Sequence, residues 1–385
     1  PLIVRINGPL RVELLHKTVN EIIKRHESLR TTLAIDGEKV VQHISKELSV
    51  EMPVADLSHL QIQKAEEEFD RLAGEEGRYP YDLEKGPLLR FLLVQLGTED
   101  YRLVFTIHHT IIDGWGAGIF FSELQALYEA FAQDKPSPLP FVSIQYGDFA
   151  IWQQKWLKSD DIKDQLTYWR KKLAPLPAPL KLPLDRPRPQ VQTTRGSRHY
   201  CTLSKALTAA LNEMGRNENL SLYMLLLGIY QTLFHKYSGQ EDITTGSAIA
   251  NRNHPQVEEI IGVFINAIAM RTDFSGDPTF NELFKRVRQT TLEAYANQDI
   301  PFELLVETLV QERDTSRHPV FQAVLILQNM PWPSMEFSDL KISYDEVGNH
   351  TSKLDLLMVF EERKGALEGW IEYNPDLFDH ATIES

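Results

Sequence analysis

Apolar and polar positions recur along the chain with two periods, which predict a mixture of strands and helices. Residues 101–105 are apolar and β-prone, which predicts a buried strand, and residues 118–131 carry apolar side chains at helical spacing. The same reasoning predicts further strands at 2–6, 31–35, 39–44, 88–96, 197–203, 242–249, 267–271, 320–327, 354–360 and 367–373. Further helices are predicted at 11–26, 60–73, 143–173, 204–217 and 222–237, with another beginning at Asp277.

A proline-rich segment divides this pattern into two similar halves. Residues 174–189 contain prolines at 175, 177, 179, 183, 187 and 189, so the segment is expected to be extended and outside helices and central strands. After it the α/β pattern starts again. The predicted organisation is an N-terminal lobe at 1–173, a linker at 174–189 and a C-terminal lobe at 190–385, with both ends expected to be trimmed from a longer polypeptide.

Composition narrows the class of protein. The 385 residues are 42% hydrophobic and 24% charged, which is ordinary for a globular protein. The formal net charge of −14 argues against a general binder of nucleic acid or anionic membranes. Cys201 is the one cysteine, so no internal disulfide can form, and a reducing, cytoplasmic setting is expected. The longest apolar run, 220–230, is too short to span a bilayer.

Candidate chemistry is concentrated where the strand at 101–105 gives way to the following helix. His108, His109, Asp113 and Gly114 lie at this junction, where unpaired backbone N–H groups at a helix start often carry function. The plain alternative is a turn with one buried histidine and Asp113 as a helix cap. If the strand continued through both histidines, their side chains would point to opposite sides, one structural and one facing a cleft.

The junction resembles the HHxxxDG signature of condensation domains of nonribosomal peptide synthetases. Five further segments resemble motifs of that family in the same order: RHESLRTTL at 25–33, YGDFAIW at 146–152, IGVFINAIAMR at 261–271, NQDIPFE at 297–303 and RDTSRHP at 313–319. The resemblance covers nearly the whole chain. It departs at Asn297, where the family usually has His, and at Ala267, where it usually has Thr.

The resemblance implies an α/β fold of two chloramphenicol acetyltransferase-like lobes in a V-shaped pseudo-dimer. The implied reaction is amide formation between a donor acyl or peptidyl thioester and the amine of an acceptor aminoacyl thioester. Both substrates would arrive on phosphopantetheine arms of donor and acceptor peptidyl carrier proteins, beside an adenylation domain of the same megasynthetase. No cofactor or metal bound by the domain is implied, and neither nucleic acid nor membrane is an expected partner.

The resemblance also implies roles within the signature. His109 is expected to act as base or to position the amine, and His108 to support the loop. Asp113 is expected to form a structural ion pair, with Arg25, Arg30 and Arg271 as candidate partners. We expect no metal site or catalytic triad at Asp113, because the HHxxxD run offers no well-separated third ligand.

Other residues have supporting roles in this interpretation. The N–H of Gly114 is a candidate to stabilise the oxyanion, although a plain turn glycine is an equal alternative. Trp115 is expected to pack, and Asn266 to lie near a substrate tunnel that opens on two faces with His109 near its middle. The basic clusters at 170–172 and 313–318 are candidates for contact with acidic carrier proteins, or solvated surfaces.

Several relatives share the signature and remain as alternatives. The segment 182–189 resembles the linker of condensation domains that accept an L-configured donor end. Rival activities are an ester-forming or chain-releasing acyltransferase, an epimerisation domain, and a non-catalytic recruiting domain. Intact His109 and Asp113 argue against the last of these.

Overall fold

The computed structural model describes residues 2–312, 314–328, 336–337, 339–346 and 350–385. Arg313, which begins the RDTSRHP motif, lies outside the described residues. The strands are β1 (Leu2–Asn7), β2 (Thr31–Asp36), β3 (Lys39–Ile44), β4 (Val54–Asp56), β5 (Leu89–Gly97), β6 (Asp100–Ile107), β7 (Ser197–Leu203), β8 (Asp242–Ile249), β9 (Asn266–Asp273), β10 (Ala323–Gln328), β11 (Glu336–Phe337), β12 (Leu340–Glu346), β13 (Leu356–Arg363) and β14 (Ala366–Tyr373). The helices are α1 (Val12–Arg25), α2 (Ile62–Arg78), α3 (Gly114–Ala132), α4 (Tyr146–Trp156), α5 (Ile162–Lys172), α6 (Lys205–Glu218), α7 (Leu222–Ser238), α8 (Pro255–Glu258), α9 (Phe280–Ala296), α10 (Phe302–Leu309) and α11 (His380–Glu384).

The described elements form two compact α/β units, as the sequence pattern predicts. The first unit combines Pro1–Lys155, Arg252–Phe264 and Met330–Asn349. Its sheet has the strand order β11-β12-β1-β6-β5-β4, and β2 and β3 form a separate hairpin. Within the described part of the chain, no helix has the length and apolar character needed to cross a bilayer.

The core of the first unit is built around β6, whose side chains alternate between the two faces of the sheet. Phe105 points to the face covered by α1 and α3, where it stacks on Phe91 and Phe120 with ring centroids 4.8 and 4.9 Å apart. The neighbouring Val104 points to the opposite face, against Phe69 of α2. The strand that leads to the two histidines is therefore buried on both faces.

The second unit combines Trp156–Asn251, Ile265–Asn329 and His350–Ser385. Its sheet has the order β7-β14-β13-β10-β8-β9, in which β10 runs parallel to both of its neighbours. Helices α7 and α9 supply buried side chains such as Leu227 and Val287 to its core. Trp169 of α5 is fully buried in the same core, and its indole N–H donates to Asn297 O at 2.7 Å.

The boundaries of these units differ from the linear division predicted from the prolines. The prediction of one helix at 143–173 within the N-terminal lobe is wrong, because the helix breaks after Trp156. At the break the Ser159 hydroxyl donates to Trp156 O at 2.8 Å, so a side chain caps the end of α4. The following helix α5 belongs to the second unit, since Trp169 and Leu173 are buried there.

Two segments from the second half of the chain belong to the first unit. Ile261 is buried in the core of that unit, and β12 pairs antiparallel with β1 from Leu2↔Glu346 to Asn7↔Lys341. Strand β12 was not predicted from the sequence, although its apolar Leu340, Ile342 and Tyr344 alternate as a strand requires. These pairings join residues more than 300 positions apart, which local patterns do not reveal.

The proline-rich segment 174–189 forms no helix or strand and is held along the second unit. The backbone N–H of Leu180, a buried residue, donates to Gln322 Oε1 at 2.8 Å. Arg188 binds Asp355 with both guanidinium arms, one of them at 2.9 Å, and the Asp355 side chain is 1% exposed. The segment lies outside helices and strands, and it is fastened to the second unit at several points.

We predict that Arg188→Ala destabilises the protein by about 3–5 kcal/mol, because it leaves a buried carboxylate without its partner. The matched control is Arg186→Ala in the same segment, whose pair with Asp379 is about half exposed and should contribute less than about 1 kcal/mol. Chemical unfolding of the two variants measures the difference. Equal costs for the two substitutions would contradict the assignment.

Candidate functional site

The turn that carries the two histidines begins where β6 ends, at Ile107. The backbone N–H of His108 donates to Leu88 O at 2.8 Å, and Ile111 N–H then donates back to His108 O at 3.2 Å. Neither histidine belongs to the strand, so the prediction that their side chains alternate across a continuing strand is wrong. The strand ends at Ile107, immediately before His108, and both histidines lie in the turn that precedes α3.

His108 is half-buried and held by its neighbours. Its Nδ1 lies 2.8 Å from the Thr110 hydroxyl and also accepts the backbone N–H of Thr110 at 3.3 Å. The Tyr81 ring meets the imidazole edge-on, with centroids 5.7 Å apart. These contacts restrict the ring of His108 to one orientation, which suits a supporting role in the turn.

His109 has the opposite environment. Its side chain is exposed, and among residues that the structure describes it makes no hydrogen bond, ion pair or ring contact. Both ring nitrogens are therefore available to an external group. Histidine is the side chain that enzymes use most often for proton transfer.

Asp113 is fully engaged. Its Oδ1 accepts the N–H of Gly116 at 2.8 Å, which caps α3, and the Arg252 guanidinium at 3.1 Å. Its Oδ2 accepts the N–H of Phe264 at 2.9 Å, and its own backbone N–H donates to Gly262 O at 3.1 Å. The Asp113 and Arg252 side chains are 2% and 1% exposed. This carboxylate is a buried structural partner, held by the guanidinium of Arg252 and two backbone N–H groups.

The partner of Asp113 is Arg252, so the three predicted partners are wrong. Arg25 binds Glu123 through Nε and Nη2 at 3.2 and 3.1 Å, and Arg271 binds Asp242 at 2.9 and 2.7 Å. Arg30 donates to Ser45 O and lies 3.5 Å from Glu27. Each candidate has a nearer acceptor within its own neighbourhood.

Sequence reasoning missed Arg252 because it lies outside the quoted motifs and 139 residues from Asp113. Its Nη1 donates to Ile260 O at 2.7 Å and to Val257 O, and its guanidinium lies 4.1 Å from the Phe264 ring centroid. Burial lowers the pKa of Arg252, and the negative charge of Asp113 opposes that shift. Arg252 thereby fixes the segment Arg252–Phe264 to the start of α3.

Arg25 belongs to a second buried ionic cluster. Glu123 of α3 accepts from Arg25 and lies 2.9 Å from Nε2 of His26, which is fully buried. Burial raises the pKa of Glu123, but the hydrogen bonds and charges of His26 and Arg25 outweigh it and hold the pKa below its ordinary value. The RHESLR motif thus joins α1 to α3.

Arg25 and Trp115 line a cavity of about 330 Å³ within the first unit. Trp115 forms part of its wall and donates its indole N–H to Glu258 O at 2.9 Å. His109 is not among the lining residues. The cavity therefore does not present His109 to a ligand, and the two-faced tunnel stays a prediction.

Asn266 uses its amide entirely within the second unit. Its Nδ2 donates to Gln298 O at 3.0 Å and Ile300 O at 2.7 Å, while its Oδ1 accepts the N–H groups of Ala267 and Phe302 at 2.9 and 3.0 Å. The side chain fixes the loop that leads into α10. This geometry gives Asn266 a structural role, and its place near a substrate tunnel stays a prediction.

Gly114 is the first residue of α3. The N–H groups of a first helical turn have no partner within the helix, and Asp113 satisfies that of Gly116. Gly114 therefore lies in the first helical turn, and the role of its N–H as a donor to the oxyanion stays a prediction.

The chain matches the family model described as Condensation domain over residues 1–385. It belongs to the condensation-domain family. It is 44% identical over 387 residues to one of the proteins that make up linear gramicidin synthase in Brevibacillus parabrevis, and 36% identical over 386 residues to phosphinothricin tripeptide synthetase PhsC of Streptomyces viridochromogenes. These matches cover 100% and 99% of the chain, which spans 8% and 35% of the length of those two relatives.

Solved structures agree with this assignment. The X-domain from teicoplanin biosynthesis is 30% identical with a TM-score of 0.89, and the match covers 99% of the chain and 86% of that structure. The first condensation domain of the calcium-dependent antibiotic synthetase shares the fold, with a TM-score of 0.81 at 16% identity over 100% of the chain and 87% of that structure. The predicted fold of two chloramphenicol acetyltransferase-like lobes is thereby confirmed, as is the class of amide-forming acyltransferase.

We predict that Asp113→Ala destabilises the domain by about 3–5 kcal/mol, because it leaves the Arg252 guanidinium buried and unpaired. Removing both charges with Asp113→Ala and Arg252→Met should cost less than the sum of the single substitutions. Chemical unfolding of the three variants measures the coupling. An Asp113→Ala protein that is inactive but unchanged in stability would show that the carboxylate acts in catalysis instead.

A second prediction concerns His318 of the RDTSRHP motif, which stacks on Phe302 and Phe321 with centroids 5.3 and 4.4 Å apart. Burial lowers the pKa of His318 from 6.5 to about 4. The folded state therefore binds this proton less readily than the unfolded state, so its stabilising contribution is present above pH 6.5 and is lost as the pH falls towards 4.

We expect the titration of His318 to lower the unfolding free energy of the wild-type protein by about 3 kcal/mol between pH 6.5 and about 4. His318→Phe should flatten the curve between pH 6.5 and 5, before most carboxylates titrate. Unfolding free energies measured against pH test this. Parallel curves for the two proteins would contradict it.

Proposed function

We propose that this condensation domain joins a donor acyl or peptidyl thioester to the amine of an acceptor aminoacyl thioester, both held on phosphopantetheine arms of carrier proteins. The acceptor nitrogen attacks the donor carbonyl carbon, the carbon–sulfur bond breaks, and the donor thiol leaves with the proton that the amine gives up. The lengthened chain then remains on the acceptor carrier. The observation that carries this proposal is a contrast within the HHxxxDG segment. His109 is exposed and makes no hydrogen bond or ion pair with a described residue, whereas Asp113 is buried in an ion pair with Arg252.

The chemistry demands little from the protein beyond placement and one proton transfer. A thioester is already reactive, and holding amine and carbonyl in line is worth about 7–11 kcal/mol. We assign the proton, or the orientation of the amine, to His109, because its ring nitrogens are open to solvent. We assign support of the turn to His108, and we propose the N–H of Gly114 as a donor to the oxyanion.

The finer features of the proposal rest on the sequence. Residues 182–189, LPLDRPRP, resemble the linker of domains that accept an L-configured donor end, so we propose that subtype. We propose donor and acceptor peptidyl carrier proteins as partners, with an adenylation domain as neighbour, in a cytoplasmic assembly.

A second candidate has one observation in its favour. The teicoplanin X-domain, at 29% identity and a TM-score of 0.88, was solved as a complex with OxyB. A domain of this fold can thus bind another protein, and a recruiting function is the alternative to catalysis. An assay that mixes two loaded carriers and weighs the acceptor-bound product separates them, since a recruiting domain yields no new amide.

We predict that His109→Ala keeps the fold and lowers amide formation by roughly 10²–10⁴-fold, because an exposed imidazole that is open to the substrate is lost. His108→Ala should instead lower stability, on the order of 1–3 kcal/mol, because it removes a held ring and its bond to Thr110. His43→Ala, at another exposed histidine of the first unit, is the control and should change neither property.

Thermal melts and the two-carrier assay measure the three variants. If His109→Ala transfers at the wild-type rate, placement alone carries the reaction. If His108→Ala proves stable and inactive, the two histidines have exchanged roles.

A further inference from the structure

The geometry points to Tyr146 as a positioning residue for the turn that carries His109, acting through the segment Arg252–Phe264. This inference rests on the proposed role of His109. Tyr146 belongs to the YGDFAIW motif, and the proposed reaction uses no side chain from this motif. Its hydroxyl and ring contact the segment Arg252–Phe264, and its ring also meets Phe149 of its own helix, with centroids 6.0 Å apart. The path from Tyr146 to the histidine turn therefore runs through the backbone of that segment.

The hydroxyl of Tyr146 forms the first contact. It donates to Val263 O at 2.8 Å, in the part of the segment nearest Asp113. Burial is the main cause that raises the pKa of Tyr146, and the charge of Asp113 adds to it, so the phenol stays protonated and remains a donor across the working pH range. The bond fixes the direction of the Val263 carbonyl.

The ring of Tyr146 forms the second contact. A Cβ atom built on Gly262 would lie 2.2 Å from Tyr146 Cδ2, a separation that real atoms do not adopt. The phenol ring therefore occupies the space that any side chain at Gly262 would need. The ring also meets Phe264 edge-on, with centroids 5.3 Å apart. Gly262, Val263 and Phe264 are thus all held by one side chain.

Two of these three backbone units are the ones that bind Asp113. Gly262 O accepts the N–H of Asp113 at 3.1 Å, and Phe264 N–H donates to Asp113 Oδ2 at 2.9 Å. Asp113 closes the turn that starts at His108 and caps the helix that follows. A shift of the Tyr146 ring or hydroxyl must therefore move the backbone that sets the end of the histidine turn.

The test begins with Tyr146→Phe, which keeps the ring against Gly262 and removes only the hydroxyl. We expect kcat of the two-carrier reaction to fall about 5–30-fold, with the KM for each loaded carrier within about twofold of wild type, because a small misplacement costs rate more than binding. The NMR signal of the His109 ring, assigned by its absence in His109→Ala, should shift or broaden in the variant.

The matched control is Tyr128→Phe on α3. Tyr128 is buried in the same unit, and its hydroxyl accepts the backbone N–H of Arg11 at 3.0 Å, so this variant also loses a hydrogen bond of a buried tyrosine. Tyr128→Phe should lower the melting temperature by about as much as Tyr146→Phe does. It should leave kcat and the His109 signal unchanged. A role in stability alone would affect both tyrosine variants alike.

A second arm uses the contact at Gly262. Gly262→Ala should lower kcat more than Tyr146→Phe, because the new methyl group displaces the ring. Tyr146→Leu removes the ring that Gly262 contacts. When Gly262→Ala is combined with Tyr146→Leu, it should therefore lower kcat little further. Gly147→Ala is the glycine control, since a Cβ there meets Ile44 Cδ1 at an ordinary 3.5 Å and should be silent.

The outcomes separate this inference from the function on which it rests. If His109→Ala retains wild-type activity, the role of His109 fails whatever the tyrosine variants do. If His109→Ala is inactive but Tyr146→Phe keeps kcat at the wild-type level and leaves the His109 signal in place, Tyr146 is not a positioning residue. Additive losses in Tyr146→Leu with Gly262→Ala would also overturn the inference.

Discussion

A carboxylate and a guanidinium, both almost completely withdrawn from water, organise the candidate site. Removing either charge from solvent is costly, and the mutual attraction of the two charges together with further hydrogen bonds offsets that cost. Asp113 accepts from Arg252 and from the N–H groups of Gly116 and Phe264. The pair therefore ties three structures together: the histidine turn, the first turn of α3 and the segment Arg252–Phe264. A looser arrangement would leave a buried charge unpaired, so the pair specifies one geometry.

The same segment explains why motifs far apart in the chain belong together. Ser28 of the RHESLR motif donates its hydroxyl to Ile261 O at 2.7 Å, and Tyr146 of the YGDFAIW motif donates to Val263 O. Asp113 of the signature binds the backbone on either side of Val263. Three motifs from the first unit thus converge on consecutive backbone groups of a fourth. Buried backbone carbonyl and amide groups must each have a hydrogen-bond partner, so these contacts restrict how the segments can pack.

The fold class and the signature could be predicted from the sequence, but the partnerships could not. Strand β6, helix α3 and the proline-rich segment follow from apolar spacing and from proline chemistry, which act over a few residues. Arg252 could not be found in this way, because its pairing with Asp113 exists only after distant segments pack. The alternation that placed His108 and His109 on opposite sides failed for a related reason. Whether a strand ends at Ile107 or one residue later depends on hydrogen bonds to Leu88 and Ile111, which apolar periodicity does not encode.

The two histidines of the turn differ in their contacts: the ring of His108 is held by its neighbours, and the ring of His109 is exposed. His108 uses a ring nitrogen to bind Thr110 and packs against Tyr81, so the orientation of its ring is set by its neighbours. His109, next along the chain, has neither restraint among the described residues, and its orientation depends on the backbone of the turn alone. A group that must accept or pass a proton cannot be permanently bonded, yet it must be well placed. The role that we propose for His109 makes both demands, and the structure fixes the residues on either side of it: His108 through its ring, and Asp113 through a buried charge pair. Under that proposal the placement of His109 depends on its flanking residues, and distant substitutions act on the reaction by disturbing them.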